Sequence, residues 1–175
     1  MSNTLEHYIY GIISLPFSGP LRPKRPSLAL VVSPWNVLNE RVEIFQIVQN
    51  AGPWRDGHVE RTYLLGSSTF LCCIPLSPIA RDRLDEFRSV LLAEPVEQGD
   101  TALTTLHPRW SCEQWCMRSL EQLVRQGQVT DQFSIRHPRW KEVFYMDVMK
   151  TANRALTNPR EGSYNGQVRV VPLVH

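Results

Sequence analysis

The sequence predicts one α+β domain, in which an antiparallel sheet of five to six strands is packed by about three helices. Segments rich in β-branched and aromatic residues dominate the first part of the chain, residues 1–75. Apolar residues at helical spacing dominate the second part. Because no linker-like stretch separates the two parts, we interpret residues 1–175 as a single domain.

Five strands are predicted in the first part, and each is bounded by Gly, Pro, Asn or Ser. They cover His7–Ser14, Ser27–Ser33, Arg41–Gln49, Glu60–Gly66 and Thr69–Pro75. The connections are short, which favours antiparallel neighbours and a meander as the simplest topology. The proline-rich segment Pro16–Pro26 is interpreted as a rigid loop, with a polyproline ligand for a partner domain as the alternative.

Two helices are predicted after these strands. The first begins at Ser77, a preferred N-cap residue followed by proline, and runs to about Ala93. The second occupies Trp110–Gly127, where Ser111 and Gln114 match the S-x-x-Q pattern of a capping box. Apolar residues at helical spacing give both segments one face for the core.

The C-terminal part predicts a third helix and one further strand. The helix begins near Pro138. Gln167–Val174 is a candidate last strand, or part of a mobile tail, and Pro172 would confine the strand to a sheet edge. The tetrapeptide HPRW precedes a predicted helix twice, at His107–Trp110 and at His137–Trp140. Chance and the ordinary preference for proline near helix starts account for this repeat.

The composition excludes several classes of protein. Hydrophobic residues make up 42% of the chain and the formal net charge is +2, which is typical of a globular domain and not of a disordered polyelectrolyte. The small charge also argues against nucleic acid as a partner. Without an apolar stretch of about 18 residues or a signal-peptide pattern, we expect a cytoplasmic protein with no membrane association. Its 4 cysteines should then be reduced thiols or ligands.

Cys112 is the first candidate for chemistry. It lies in the first turn of the predicted second helix, where unpaired backbone N–H groups and the helix dipole favour thiolate over thiol. Because the thiolate is the competent nucleophile, Cys112 is a candidate catalytic residue. The alternative is a small apolar residue that packs beside Cys116 in the core.

The segments around Cys112 carry a resemblance to known proteins. Trp110–Trp115 has the sequence W-S-C-E-Q-W, Glu94–Gln98 has E-P-V-E-Q, and the strand segments Tyr8–Leu15 and Ser27–Val32 precede both. Over most of residues 7 to 150 these segments resemble a family of small fungal domains of unknown function. The order of strands followed by S-C-E-Q-W at a helix start is also distantly similar to the permuted papain-like fold of the lecithin:retinol acyltransferase group.

The acyltransferase resemblance implies a thiol enzyme. Cys112 would attack a small amide, ester or thioester, an imidazole would take the thiol proton, and backbone N–H groups would hold the oxyanion. That group carries its histidine on a strand where this chain has Ser27 or Leu28. We expect His58 or His107 to replace it as the base. The leading hypothesis is therefore thiol-dependent acyl transfer or hydrolysis.

Two other functions stay open. Because the strand histidine is missing, the scaffold also suits a cyclase, isomerase or lyase of fungal secondary metabolism that does not use the thiol. Asp147 is then a candidate catalytic residue, since it lies beside the apolar stripe of the third helix. An exposed boundary position is the expectation for this carboxylate, and a partly buried carboxylate that faces a pocket is the alternative. The second function is a non-catalytic binding or protein-interaction module that uses Pro16–Pro26.

No cofactor and no metal is expected, and the expected partner is a small-molecule substrate. Cys112 and Cys116 share one helical face, but Zn²⁺ would need a further ligand from Cys72 or Cys73. Adjacent residues on a strand point to opposite faces, so only one of these two can join a site. Packing in the core is therefore the interpretation for Cys72, Cys73 and Cys116. The sequence leaves the oligomeric state open.

Overall fold

Seven strands form one mixed sheet in the computed structural model, which describes residues 7–14 and 26–175. The strands are β1 His7–Ser14, β2 Ser27–Ser33, β3 Val42–Phe45, β4 Ile47–Val48, β5 Arg55–Asp56, β6 Val59–Thr62, β7 Phe70–Ile79, β8 Ser163–Asn165 and β9 Val168–Val170. The sheet order is β6-β3-β2-β1-β7-β9-β8, and β4 pairs only with β5. The described helices are α1 Leu84–Ala93, α2 Cys112–Arg125 and α3 Trp140–Thr157. The predicted α+β class is confirmed, with a larger sheet than expected.

The strand predictions are confirmed at the centre of the sheet, where β1 and β2 have the predicted bounds. The prediction of a single strand over Arg41–Gln49 is wrong, because the strand is interrupted at Gln46. The Gln46 carbonyl accepts from the Gly57 N–H at 3.0 Å, and its side-chain amide donates to the Gly57 carbonyl at 3.2 Å. As a result, β3 joins the main sheet and β4 pairs with β5. A simple meander therefore covers β1, β2, β3 and β6, while β7 returns to pair with β1.

The predicted start of the first helix at Ser77 is also wrong. Ser77 is fully buried in β7, where it lies opposite Ile9 of β1, and the strand continues to Ile79. The pairing with β1 outweighs the local capping preference, because tertiary contacts supply most of the stability of a short element. α1 begins only at Leu84 and ends, as predicted, at Ala93.

α2 agrees best with its prediction. The Ser111 hydroxyl oxygen accepts from the backbone N–H of Gln114 at 3.4 Å, which is one half of the predicted capping box. The Gln114 side chain does not return to Ser111. Its amide instead donates to the Thr104 hydroxyl and to the His107 carbonyl, each at 2.8 Å. This residue thereby fixes the loop before α2 to the first turn of the helix.

The last strand is not the edge strand that Pro172 predicted. β9 lies between β7 and β8, parallel to β7 at Cys73 and Val170 and antiparallel to β8. Pro172 follows the strand and is outside this pairing. Because β9 returns to a strand of the N-terminal half, the end of the chain is brought back to the sheet and to α3.

Apolar cores lie on both faces of the sheet. The larger one, which we call the helix-side core, contains Cys72 and Cys116 together with the buried faces of the helices. The smaller one, on the opposite face, contains Cys73. These three cysteines are fully buried, which confirms the packing interpretation, and all four cysteines are free thiols.

Residues 16–25 of the proline-rich segment Pro16–Pro26 lie outside the described residues. In the described part, no helix combines the length and the apolar character needed to span a membrane.

Candidate functional site

Cys112 opens α2 as predicted, but its surroundings favour the thiol over the thiolate. The residue is half-buried and packs against the helix-side core. Burial raises the pKa of the Cys112 thiol, and the Glu113 carboxylate adds to this rise. Hydrogen bonds with the backbone of Leu28 and Glu113 oppose the rise without cancelling it. The direction is opposite to the lowering that a helix N-terminus favours.

The strand beside Cys112 carries no imidazole at the relevant position. Leu28 of β2 hydrogen-bonds Cys112 through its backbone, and its carbonyl accepts from the Cys116 thiol at 3.5 Å. The acyltransferase resemblance calls for a histidine at Ser27 or Leu28 of this strand. The backbone of Leu28 is adjacent to the thiol, and its side chain is buried.

His58 is bound at another place in the fold. Its Nε2 lies 2.8 Å from Oε1 of Glu43, and its ring stacks on Phe45 with 4.8 Å between the ring centroids. Nε of Arg88 lies 2.9 Å from the second oxygen of the same carboxylate. This cluster ties the edge of the sheet to α1. In the described part of the chain, no hydrogen bond joins His58 to Cys112.

His107 lies just before α2, but its ring faces α3. Its Nδ1 lies 3.2 Å from the Arg109 carbonyl oxygen, and its ring centroid lies 5.7 Å from that of Tyr145. Its own carbonyl accepts from Gln114. Among the described residues, the hydrogen bonds of this imidazole do not include Cys112. The structure thus does not assemble Cys112, His58 and His107 into a hydrogen-bonded catalytic group.

The motif residues of the fungal-family resemblance contact one another instead. Nε1 of Trp110 donates to the Val96 carbonyl at 2.8 Å, and Nε1 of Trp115 donates to the Pro95 carbonyl at 3.0 Å. Arg118 lies one turn after Trp115 on α2, and its guanidinium group donates to the Gln98 carbonyl of the same loop. Its Cζ lies 4.6 Å from the centroid of the Trp110 ring. The segments E-P-V-E-Q and W-S-C-E-Q-W therefore form a packing unit at the start of α2. These contacts explain why the two segments occur together in one chain.

Asp147 lies in a cavity of about 430 Å³, which we call the Asp147 pocket. The pocket is lined by Gln132, Phe133, Ser134, His137, Trp140, Val143, Phe144, Asp147, Leu173 and His175. Phe133 packs edge-on against Phe144 with 5.3 Å between the centroids, and the Trp140 ring lies 6.3 Å from Phe144. Asp147 follows Phe144 by three residues, so helical geometry places its carboxylate beside these aromatic walls.

The Asp147 carboxylate is a buried, hydrogen-bonded group of this pocket. Its side chain is 5% exposed; Oδ1 lies 3.1 Å from Nζ of Lys150, and Oδ2 lies 3.2 Å from Nδ1 of His175. The Thr151 hydroxyl donates to the Asp147 carbonyl at 2.8 Å and accepts from the Val174 N–H at 3.0 Å. These two bonds fix the segment that carries His175 to α3.

This geometry selects one tautomer of His175. Nδ1 must carry a hydrogen to donate to the Asp147 carboxylate, which leaves a lone pair on Nε2 of the neutral ring. The His175 side chain is 79% exposed, so Nε2 is accessible to a ligand. An imidazole oriented in this way can serve as a general base and then as a general acid.

The sequence indicates Asp147 but not its partners in the pocket. Its spacing from Trp140 and Phe144 on one helical face is the signal. The expected exposed boundary position is wrong, because the carboxylate is buried and lines a pocket, as the alternative had it. His175 has no comparable signal, because its contact with Asp147 depends on β9 returning the chain to α3. Phe133 likewise reaches the pocket only through the path of the loop before α3.

The described residues contain no group of three or more His, Cys, Asp or Glu side chains that could hold a metal ion. No protein-family model, no curated protein and no solved structure matches this chain.

Proposed function

We propose that this protein is an enzyme that transfers protons on a small apolar molecule, as an isomerase, cyclase or lyase that does not use the thiol. The reaction is placed in the Asp147 pocket, with His175 as the acid–base catalyst and Asp147 as the residue that positions it. The observation that carries the proposal is the Asp147–His175 hydrogen bond beside an aromatic cavity. The proposal keeps the small-molecule substrate and the cytoplasmic location expected from the sequence.

The size and the walls of the pocket support a small substrate. A volume of about 430 Å³ lies within the usual range for small-molecule sites. Phe133, Trp140 and Phe144 give the pocket an apolar aromatic wall, against which a small apolar molecule can pack.

The roles of the two polar groups follow from their hydrogen bonds. Both oxygens of the Asp147 carboxylate are bound, one to Lys150 and one to His175, and the side chain is almost fully buried. The carboxylate is therefore suited to orient a neighbour. Of the two residues, His175 offers the accessible lone pair, which lies on Nε2. This atom takes the proton from the substrate.

Acyl transfer through Cys112 has less support. Burial raises the pKa of the Cys112 thiol, so little thiolate is present at neutral pH. Its neighbour on the strand is Leu28, which cannot accept the thiol proton through its side chain. The Cys112→Ala variant separates the two hypotheses, because a proton-transfer enzyme keeps its activity without the thiol.

The test uses 5-nitrobenzisoxazole, a flat aromatic probe of carbon-base catalysis. A base removes the hydrogen from C3, the electrons of that bond form the nitrile, and the N–O bond breaks to release 2-cyano-4-nitrophenolate, which is followed by its absorbance. We expect the wild type to accelerate this reaction, and His175→Ala to lose at least about tenfold in kcat/KM. Cys112→Ala should retain wild-type kcat/KM within about twofold, since the thiol takes no part.

Asp147→Asn tests the positioning role. The amide no longer imposes the hydrogen on Nδ1 of His175, so kcat should fall while KM changes little. A purely structural role for Asp147 would lower the amount of folded protein but leave kcat of the remaining folded enzyme unchanged. Equal rates for the wild type and His175→Ala would rule out the proposed function.

A further inference from the structure

We propose that His137 donates a hydrogen bond to the carbonyl oxygen of the substrate, and that the substrates are small aromatic ketones with a removable α-hydrogen. This inference rests on the proposed function of the Asp147 pocket and names its substrate class. His137 lines the same cavity as Asp147, His175 and the aromatic walls, so one bound molecule can meet both imidazoles.

The backbone fixes the position of His137. Its N–H donates to the Ser134 carbonyl at 2.8 Å, and its carbonyl accepts from the Trp140 N–H at 3.0 Å at the start of α3. The preceding loop is held by Asp131, whose carboxylate accepts from the backbone N–H of Phe133 at 3.1 Å. The ring is therefore presented to the pocket from an ordered turn at the start of a helix.

A hydrogen bond also selects the tautomer of His137. The backbone N–H of Arg139 donates to Nδ1 of His137 at 3.2 Å, so Nδ1 carries the lone pair. In the neutral ring the hydrogen is then on Nε2, which is a hydrogen-bond donor. The histidine of the other HPRW tetrapeptide, His107, has the opposite tautomer. Its Nδ1 lies 3.2 Å from the Arg109 carbonyl oxygen and must donate to it.

The two imidazoles of the pocket thus have complementary roles. His175 has its hydrogen on Nδ1 and offers Nε2 as an acceptor, whereas His137 has its hydrogen on Nε2 and offers a donor. A donor for a developing oxyanion together with a base for a C–H hydrogen is the requirement for removing a proton next to a carbonyl group. The aromatic wall favours a ketone whose carbonyl lies close to an aromatic ring, for example in a saturated ring that is fused to it.

His175 and His137 together account for every proton and electron pair that moves in this reaction. Nε2 of His175 takes the α-hydrogen as a proton, the electrons of the C–H bond form the carbon–carbon double bond, and the carbonyl electrons move to the oxygen. Nε2–H of His137 holds that oxygen as an enolate. Because the His175 side chain is exposed, the proton on its Nε2 exchanges with solvent. Delivery of a solvent proton to the same carbon then gives isotope exchange, and delivery of a proton to a conjugated carbon gives an isomer.

The probe for this inference is 2-tetralone in D₂O. Deuterium incorporation at its benzylic C1 is measured by proton NMR, with and without protein. His137→Phe keeps a ring in the turn but removes the donor, and His137→Gln supplies an amide N–H in its place. We expect wild-type protein to accelerate the exchange, His137→Phe to slow it about ten- to hundredfold, and His137→Gln to recover most of the loss.

A binding measurement distinguishes loss of the hydrogen-bond donor from loss of folding in His137→Phe. 2-Naphthol is a flat mimic of the enol of 2-tetralone, and naphthalene has the same ring system without the hydroxyl. The wild type should bind 2-naphthol more tightly than naphthalene, and in His137→Phe the ratio of the two dissociation constants should fall towards one. A variant that merely fails to fold would lose both ligands together.

The outcomes distinguish this inference from the proposed function. Exchange by His137→Phe at the wild-type rate, with exchange lost in His175→Ala, would overturn the role of His137 alone. Wild-type protein that acts on 5-nitrobenzisoxazole but does not accelerate exchange of 2-tetralone would overturn the ketone class alone. Failure with both probes would overturn the proposed function as well.

Discussion

Replacing Arg118 by alanine tests the packing unit at the start of α2. The guanidinium group lies over the Trp110 ring and forms an ion pair through Nε with the Glu94 carboxylate. Its other nitrogens donate to acceptors in the loop before α2, namely the carbonyl oxygens of Pro95, Glu97 and Gln98 and the Thr101 hydroxyl. The variant therefore removes several bonds and leaves one buried carboxylate without its cation.

The expected loss of stability follows from the burial of the pair. The Arg118 side chain is 13% exposed and that of Glu94 is 8% exposed. Removing one partner of a buried ion pair costs about 3–5 kcal/mol, and we expect about 3 kcal/mol because Pro95 and Glu97 are exposed enough for water to replace the lost donor. In a chain of this length each kcal/mol lowers Tm by about 2–4 °C, so Tm should fall by about 6–12 °C.

The assay is thermal and guanidinium unfolding followed by circular dichroism, with Arg125→Ala as the matched control. Arg125 pairs with Glu121 at 2.6 Å on the same helix, but its side chain is 63% exposed, so its removal should cost about 0.5 kcal/mol or less. Adding Glu94→Gln to Arg118→Ala should restore part of the loss, since it removes the unpaired charge. A loss below about 1 kcal/mol for Arg118→Ala would refute the reasoning.

Two further predictions concern titrating groups. Because burial raises the pKa of the Cys112 thiol, iodoacetamide at about pH 8 should alkylate Cys112 much more slowly in the folded than in the unfolded protein, as read by peptide mass spectrometry; equal rates would contradict the burial. Burial, with help from the Arg81 charge, lowers the pKa of His7 below its ordinary 6.5, so the unfolded chain binds this proton more readily. The stability due to neutral His7 is complete above pH 6.5 and falls as the pH drops below that value. Titration of the unfolding free energy between about pH 7 and pH 5 should give a smaller slope for His7→Gln, and an unchanged slope would contradict this.

The central strands and α2 were predictable because local signals and tertiary contacts agree there. β1 and β2 are rich in β-branched residues and are bounded by turn residues, and both are buried in the sheet. Serine is a preferred N-cap residue, and Ser111 caps α2 in the structure. In such segments the preference of the sequence and the requirement of the fold select the same structure.

The boundaries that could not be predicted are places where a distant contact decides. Ser77 has the local signature of a helix start, yet pairing with β1 keeps it in a strand. Gln46 interrupts a good alternating pattern because Gly57, which is distant in sequence, supplies its hydrogen bonds. Neither contact has a signal in the residues nearby, so spacing and propensity alone give the wrong element.

The candidate site shows the same division. Asp147 could be selected from its place on the apolar side of α3, because helical periodicity is a local property. Its pairing with His175 could not, since the two residues meet only after the chain has passed through β8 and β9. For Cys112 the helix N-terminus was predictable, whereas the burial that raises the pKa of the thiol depends on how α2 packs on β2.

Chemical rescue of His175→Ala is the most direct test of the proposed acid–base pair. The His175 side chain is 79% exposed, so in its absence free imidazole can reach the Asp147 carboxylate from solvent. We predict that added imidazole restores the reaction of 5-nitrobenzisoxazole in this variant, with saturation and with a rate above that of imidazole in buffer. Rescue should be lost when Asp147→Asn is added, because the carboxylate that orients the imidazole is gone. A rate equal to that of imidazole in buffer would contradict the account.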